Sequence, residues 1–214
     1  MTSISNASAL RSGAGARLVN LMVDPGAAFR GIAENPSWLL AFLAAATIRF
    51  ASLFIFYRPA VTPAKVIAGL LVQILTVAST VLLASLVTWL AAGAWRVRVS
   101  WATAFSILMH AYVAFTLVTL AFACIAGALL PEDGDVDLRN PPFTNLTSLL
   151  SGTGSAVFRP LAGEFDVRSA YVLALLWLGL RNGSPEAPRS AVTKVLLTVA
   201  FVRVAGVVSV SLLR

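Results

Sequence analysis

The sequence predicts an all-α integral membrane bundle of five transmembrane helices, preceded by an N-terminal interfacial amphipathic segment. Composition and patterning both lead there. Of the 214 residues, 58% are hydrophobic and only 12% are charged, and the mean hydropathy is +0.86. Soluble domains carry about 45–50% apolar and about 25% charged residues. With half that charge, too little polar surface is left to coat a globule in water, so the excess must face lipid. The apolar residues are also gathered into five runs divided by polar stretches.

Those runs cover 36–57, 66–95, 100–130, 167–180 and 191–213. Crossing about 30 Å of hydrocarbon takes about 20 helical residues, which four of the runs supply. The fourth run holds 14 residues, about 21 Å at 1.5 Å per residue. It crosses only by borrowing flanking residues, by local thinning, or by packing inside the bundle.

Ahead of the first run, Met1–Arg17 is rich in Ser, Ala and Gly and is expected to be a flexible tail rather than a secretory signal. Residues 18–214 form the membrane domain. Within it, Leu18, Leu21, Met22, Phe29 and Ile32 recur at helical spacing around Arg30 and Glu34. This suits short amphipathic helices broken at Asp24-Pro25, lying in the interface or packed on the cytoplasmic ends of the bundle. Asp24-Pro25 and Asn35-Pro36 each place a capping side chain before a proline, and Ser100 caps the third run. The sequence Gly-Ser-Pro-Glu-Ala-Pro at 183–188 makes a tight loop between the last two runs. The stretch Pro131–Asp166 is acidic and then amphipathic, with Phe143, Leu146, Leu149 and Leu150 at helical spacing. Two short pieces lying on the membrane face are expected there.

The charge excludes more than it suggests. A net +7 invites nucleic acid, but the cations stand singly at the ends of apolar runs and form no basic stripe. They read as topological anchors instead. The single cysteine, Cys124, and the single histidine, His110, exclude an internal disulfide and thiolate or paired-histidine metal sites. The carboxylates from Glu132 to Asp137 do not follow the spacing of an EF-hand loop. Ser148, Ser151 and Ser155 lie near glycines but lack the nucleophile elbow of a serine hydrolase. No enzyme activity and no cofactor is expected. The partners are the lipid bilayer and a second copy or another membrane protein, with no nucleic acid.

Placing the N-terminus in the cytoplasm puts Arg11, Arg17, Arg30, Arg96, Arg98, Arg181, Arg189 and Lys194 on that side, 8 cations against 6 opposite (Arg58, Lys65, Arg139, Arg159, Arg168 and Arg214). Arg96 and Arg98 sit in a compact turn, which strengthens the assignment. Fourteen arginines against two lysines suggest a GC-rich genome and hence a bacterial inner membrane.

Three stretches resemble the Yip1 family of polytopic membrane proteins in its bacterial form. They are Leu18-Val19-Asn20-Leu21 with Asp24 to Ile32, Asn140-Pro141 with Asn145-Leu146 and Leu149-Leu150, and Phe165-Asp166 with Leu175 to Leu180 and Arg189-Ser190-Ala191. The resemblance spans about residues 18–213, and its motifs are soft apolar patterns. The chain departs from the family where His110-Ala111-Tyr112-Val113-Ala114 has no proline. The resemblance implies five spans, a cytoplasmic N-terminus and a non-enzymatic role in membrane organisation or trafficking.

Three ionisable groups fall deep inside the runs, away from their ends: Arg49, His110 and Arg203. An arginine at mid-membrane costs about 2.5–3.5 kcal/mol on insertion scales, and no Asp or Glu lies within any run to neutralise one. One reading gathers Arg203, Arg49, His110 and Gln73 into a polar pocket for an anionic solute or lipid head group, as in a small transporter or channel. The other has the arginines snorkelling or bonded to carbonyls and hydroxyls, with His110 an interhelical hydrogen-bonding residue. Small residues four apart, Ala41 with Ala45, Ala123 with Gly127 and Val202 with Gly206, are expected to let helices approach closely.

Overall fold

The computed structural model describes residues 13–57, 62–129 and 166–212, and the elements among them are all helices. The acidic and amphipathic stretch expected before Asp166 lies outside the described residues, as do residues 1–12.

Asp24 divides the N-terminal amphipathic stretch into α1 (Ala14–Val23) and α2 (Pro25–Glu34). Its Oδ1 accepts a hydrogen bond from the Ala27 N–H at 3.0 Å, and Pro25 follows where a helix has no use for a backbone donor. Because α1 begins at Ala14, Arg17 lies in a helix and not in the tail expected to end there. Arg17 is buried and donates through Nη1 to the Asn35 carbonyl at 2.7 Å and to Ser37 Oγ at 3.0 Å, pinning α1 to the turn after α2. The capping role expected of Asn35 is corrected. The residue before a proline is pushed out of helical space, so Asn35 ends α2, its N–H bonded back to Gly31 O. Helix α3 (Leu39–Tyr57) starts only after Trp38.

Helix α4 (Pro63–Ala94) is capped by Thr62, and α5 (Trp101–Leu129) by Ser100, whose Oγ accepts from Thr103 N at 3.0 Å. Between them Arg96 takes up φ 57°, a left-handed conformation that closes α4 through bonds from Arg96 N to Gly93 O and from Val97 N to Ala92 O. A side chain there costs about 1 kcal/mol that glycine avoids. Arg96→Gly should therefore raise the thermal unfolding midpoint in detergent, whereas an unchanged or lower midpoint would contradict strain at this turn.

Helices α6 (Val167–Gly183) and α7 (Arg189–Leu212) are joined by the expected tight loop. Arg181 Nη1 donates to Pro185 O at 3.0 Å and to Ala187 O at 2.6 Å, closing the loop over the end of α6. Glu186, exposed in the loop, is held below the usual carboxylate range by its own backbone N–H and by the Ser184 hydroxyl.

Helix α5 is the centre of the bundle. Helices α3, α4 and α6 pack around it, α7 lies on α4 and α6, and α2 wedges against α5 and α6. The side of α4 that turns inward reads Gln73, Val77, Val81, Ser85, Thr88 and Ala92, a stripe of small and medium residues at helical spacing. Phe29 and Ile32 of α2 are fully buried, so α2 is packed into the bundle. Helix α1 presents Val19, Met22 and Val23 outward. Ala41 and Ala45 are buried, whereas Val202 is exposed and Gly206 has open space beside it among the described residues.

Pro63–Ala94, Trp101–Ile125 and Arg189–Val210 are long and apolar enough to cross a membrane. Their outer faces carry Leu71, Leu75, Leu83, Leu197 and Phe201 at more than half exposure. An apolar surface of this extent is stable only against lipid or another protein, and the chain is a membrane protein with a helical bundle. Trp38 and Trp101, both partly exposed, meet at Phe105 at one end of that bundle, and Trp89, also partly exposed, lies edge-on to Trp101. Trp95 is bonded to Thr198 there and lies under Lys194. Amphipathic rings in this position mark a membrane–water interface.

Candidate functional site

The four residues expected to share a polar pocket are distributed over separate places. Arg49 on α3 and Gln73 on α4 meet each other: Arg49 Nε donates to Gln73 Oε1 at 3.2 Å, with Gln73 buried. The amide oxygen serves as the acceptor that an arginine in an apolar run needs, and the bond ties α3 to α4. His110 is buried on α5, its Nδ1 2.8 Å from Ser106 O one turn earlier. A carbonyl oxygen only accepts, so Nδ1 carries the proton in this bond to its own helix.

Arg203, on α7, lines a cavity that none of these three lines. That cavity has a volume of about 850 Å³ and lies between α4, α5, α6 and α7. The cavity is chiefly apolar, walled by residues such as Ala84, Leu108, Leu176 and Val199, one from each helix. Asp166 and Ser169, at the start of α6, contribute its polar side together with Arg203.

Asp166 is the residue that sequence reasoning passed over. It sits one position before the fourth run, so the search for carboxylates within the runs ended just short of it. Its Oδ1 accepts from Arg168 N at 2.7 Å and caps α6, while Oδ2 accepts from Arg168 Nε at 2.5 Å and pairs with Nη2. Both side chains are buried, 4% and 7% exposed, and the Arg168 guanidinium lies 5.9 Å from the centre of the Phe115 ring. Arg168, counted from the sequence as a loop cation, is thus inside the bundle. The signal was present in Asp-Val-Arg, a capping acid with a cation one residue beyond the start of a helix.

No family model, curated protein or solved structure matches the chain.

Chemically, the arrangement provides an apolar volume with charged groups in its lining. Among the described residues no group of His, Cys, Asp or Glu side chains is placed to hold a metal ion.

Proposed function

We propose that the chain is a multi-pass, non-enzymatic membrane protein of Yip1 type that works through helix association and membrane organisation. In this reading α3 to α7 cross the bilayer of a bacterial inner membrane, with α1, α2 and the tryptophan-bearing end on the cytoplasmic side. The observation that carries it is the dispersal of the intramembrane polar groups. Arg49 is matched by Gln73, and His110 by a carbonyl of its own helix. Neither pair lines the Arg203 cavity. Between them the core is chiefly apolar, built from Val77, Val81, Ile107, Met109, Leu176 and similar side chains. A transport pathway calls for polar groups in series, whereas an organiser calls for outward apolar faces. Helices α4 and α7 have such faces in Leu75, Leu83, Leu197 and Phe201. The orientation is supported by Arg96, Arg98, Arg181, Arg189 and Lys194 gathering toward the tryptophan end.

Reconstitution tests this directly. Vesicles containing the protein should leak chloride and phosphate no faster than empty ones, while energy transfer between labelled copies should rise with protein density and saturate. Saturable anion flux without self-association would overturn the reading. It would favour the second one, a small transporter or channel for an anionic solute or head group, which the position of Arg203 on a cavity wall supports.

A further inference from the structure

The cavity between α4, α5, α6 and α7 has the build of a lipid site. Its volume of about 850 Å³ falls among pockets that enclose a whole small molecule, about 300–1,000 Å³. Leu83, Val167 and Val202 line it and are also exposed on the outside of the bundle. Its mouth therefore opens through apolar surface, where the neighbouring phase is acyl chain. Water has little reason to fill such a space, because each molecule needs two to four polar partners.

The charges select the head group. The Asp166 carboxylate is engaged by Arg168 in a buried ion pair, so it puts little net charge into the cavity. Arg203 adds a guanidinium to the wall. That group has five N–H donors, and engagement with one protein group leaves others for a ligand. A phosphate oxygen is the acceptor best matched to its planar fork.

We propose that this cavity binds a phospholipid with an anionic head group, one acyl chain lying against the walls of α4, α5, α6 and α7 and the phosphate on Arg203. The inference rests on the reading of the chain as a membrane-embedded bundle, and is independent of the Yip1 resemblance and of whether the protein organises or transports. A zwitterionic phospholipid offers the same chain and phosphate, but its own ammonium competes with Arg203. Preference between the two head groups is therefore the diagnostic quantity.

The test is native mass spectrometry of the full chain, extracted in detergent and offered equal amounts of phosphatidylglycerol and phosphatidylcholine with identical acyl chains. The wild type should retain phosphatidylglycerol about tenfold over phosphatidylcholine, because the choline ammonium offsets the phosphate charge that Arg203 meets and the phosphatidylglycerol head group has no such cation. Arg203→Gln should still retain lipid but bring the ratio near parity. Ala84→Trp, which fills the cavity, should abolish retention of both. Ala170→Trp places the same bulk on an exposed lining position of α6 and gives the same readout if Ala84→Trp does not fold. Wild-type protein that retains no lipid, equal retention of the two, or an unchanged ratio in Arg203→Gln would overturn the site while leaving the membrane reading intact. A chain that stays monodisperse in buffer without detergent would remove both.

Discussion

Asp166→Ala should destabilise the bundle by about 3–5 kcal/mol, the cost of leaving one partner of a buried ion pair without the other. The expected loss is large because one carboxylate does two jobs. It neutralises Arg168 in a place with almost no solvent contact, and it caps the first turn of α6. Truncation strands a guanidinium beside the Phe115 ring and removes the acceptor from the helix start together. Asp166→Asn keeps an oxygen for the Arg168 N–H and should recover part of the loss. The double change Asp166→Leu with Arg168→Met should recover more than either single change predicts, since no charge is then desolvated. Thermal unfolding in detergent, followed by helix signal, measures all three. Asp166→Ala unfolding at the wild-type midpoint would mean that the pair is exposed in solution and does not hold α6.

Gly179→Val is the second large effect. Helices α2, α5 and α6 meet at this residue, where a Cβ would collide with the Ile107 side chain and come within 3.2 Å of the Phe29 ring. Both neighbours are fully buried. A packed interior does not yield to extra volume, and overpacking of this kind costs about 1–3 kcal/mol, with valine expected near the top of that range. The strain should fall on α2, which is held by Phe29 and Ile32 and is the shortest element in the packed junction. Hydrogen exchange should show the amides of α2 losing protection before those of α4 or α5. Gly179→Ala combined with Ile107→Ala, which exchanges volume across the contact, should restore most of the protection. Unchanged exchange in Gly179→Val would show that α2 is not anchored through α6.

The helices and the site differ in how readable they were. The apolar runs gave the positions of α3 to α7 to within a few residues, because prolines, glycines and polar turns mark where each run stops. Asp24 and Ser100 were legible as caps for a similarly local reason: the bond spans three residues. Asn35 was misread because an acceptor before a proline can close one helix as well as open another, and only the course of the chain tells which. The candidate site was far less legible. Arg49 and Gln73 are 24 residues apart and meet through the packing of two helices. His110 bonds through Nδ1 to a carbonyl of its own helix, a partner that its place in the run did not single out. Asp166 was missed at the edge of a run.

What the sequence determined alone was the solvent of this protein: the ratio of apolar to charged side chains leaves no way to coat a globule in water, and that ratio needs no coordinates. Which polar groups face one another was decided only by tertiary structure. Pairs such as Arg49 with Gln73, and the turning of Arg203 toward the cavity, are set by helix rotation and crossing, and rotating a helix by one residue turns its side chains by about 100°. Composition and periodicity are blind to that angle, so the cavity and its single arginine became visible only once the helices were packed.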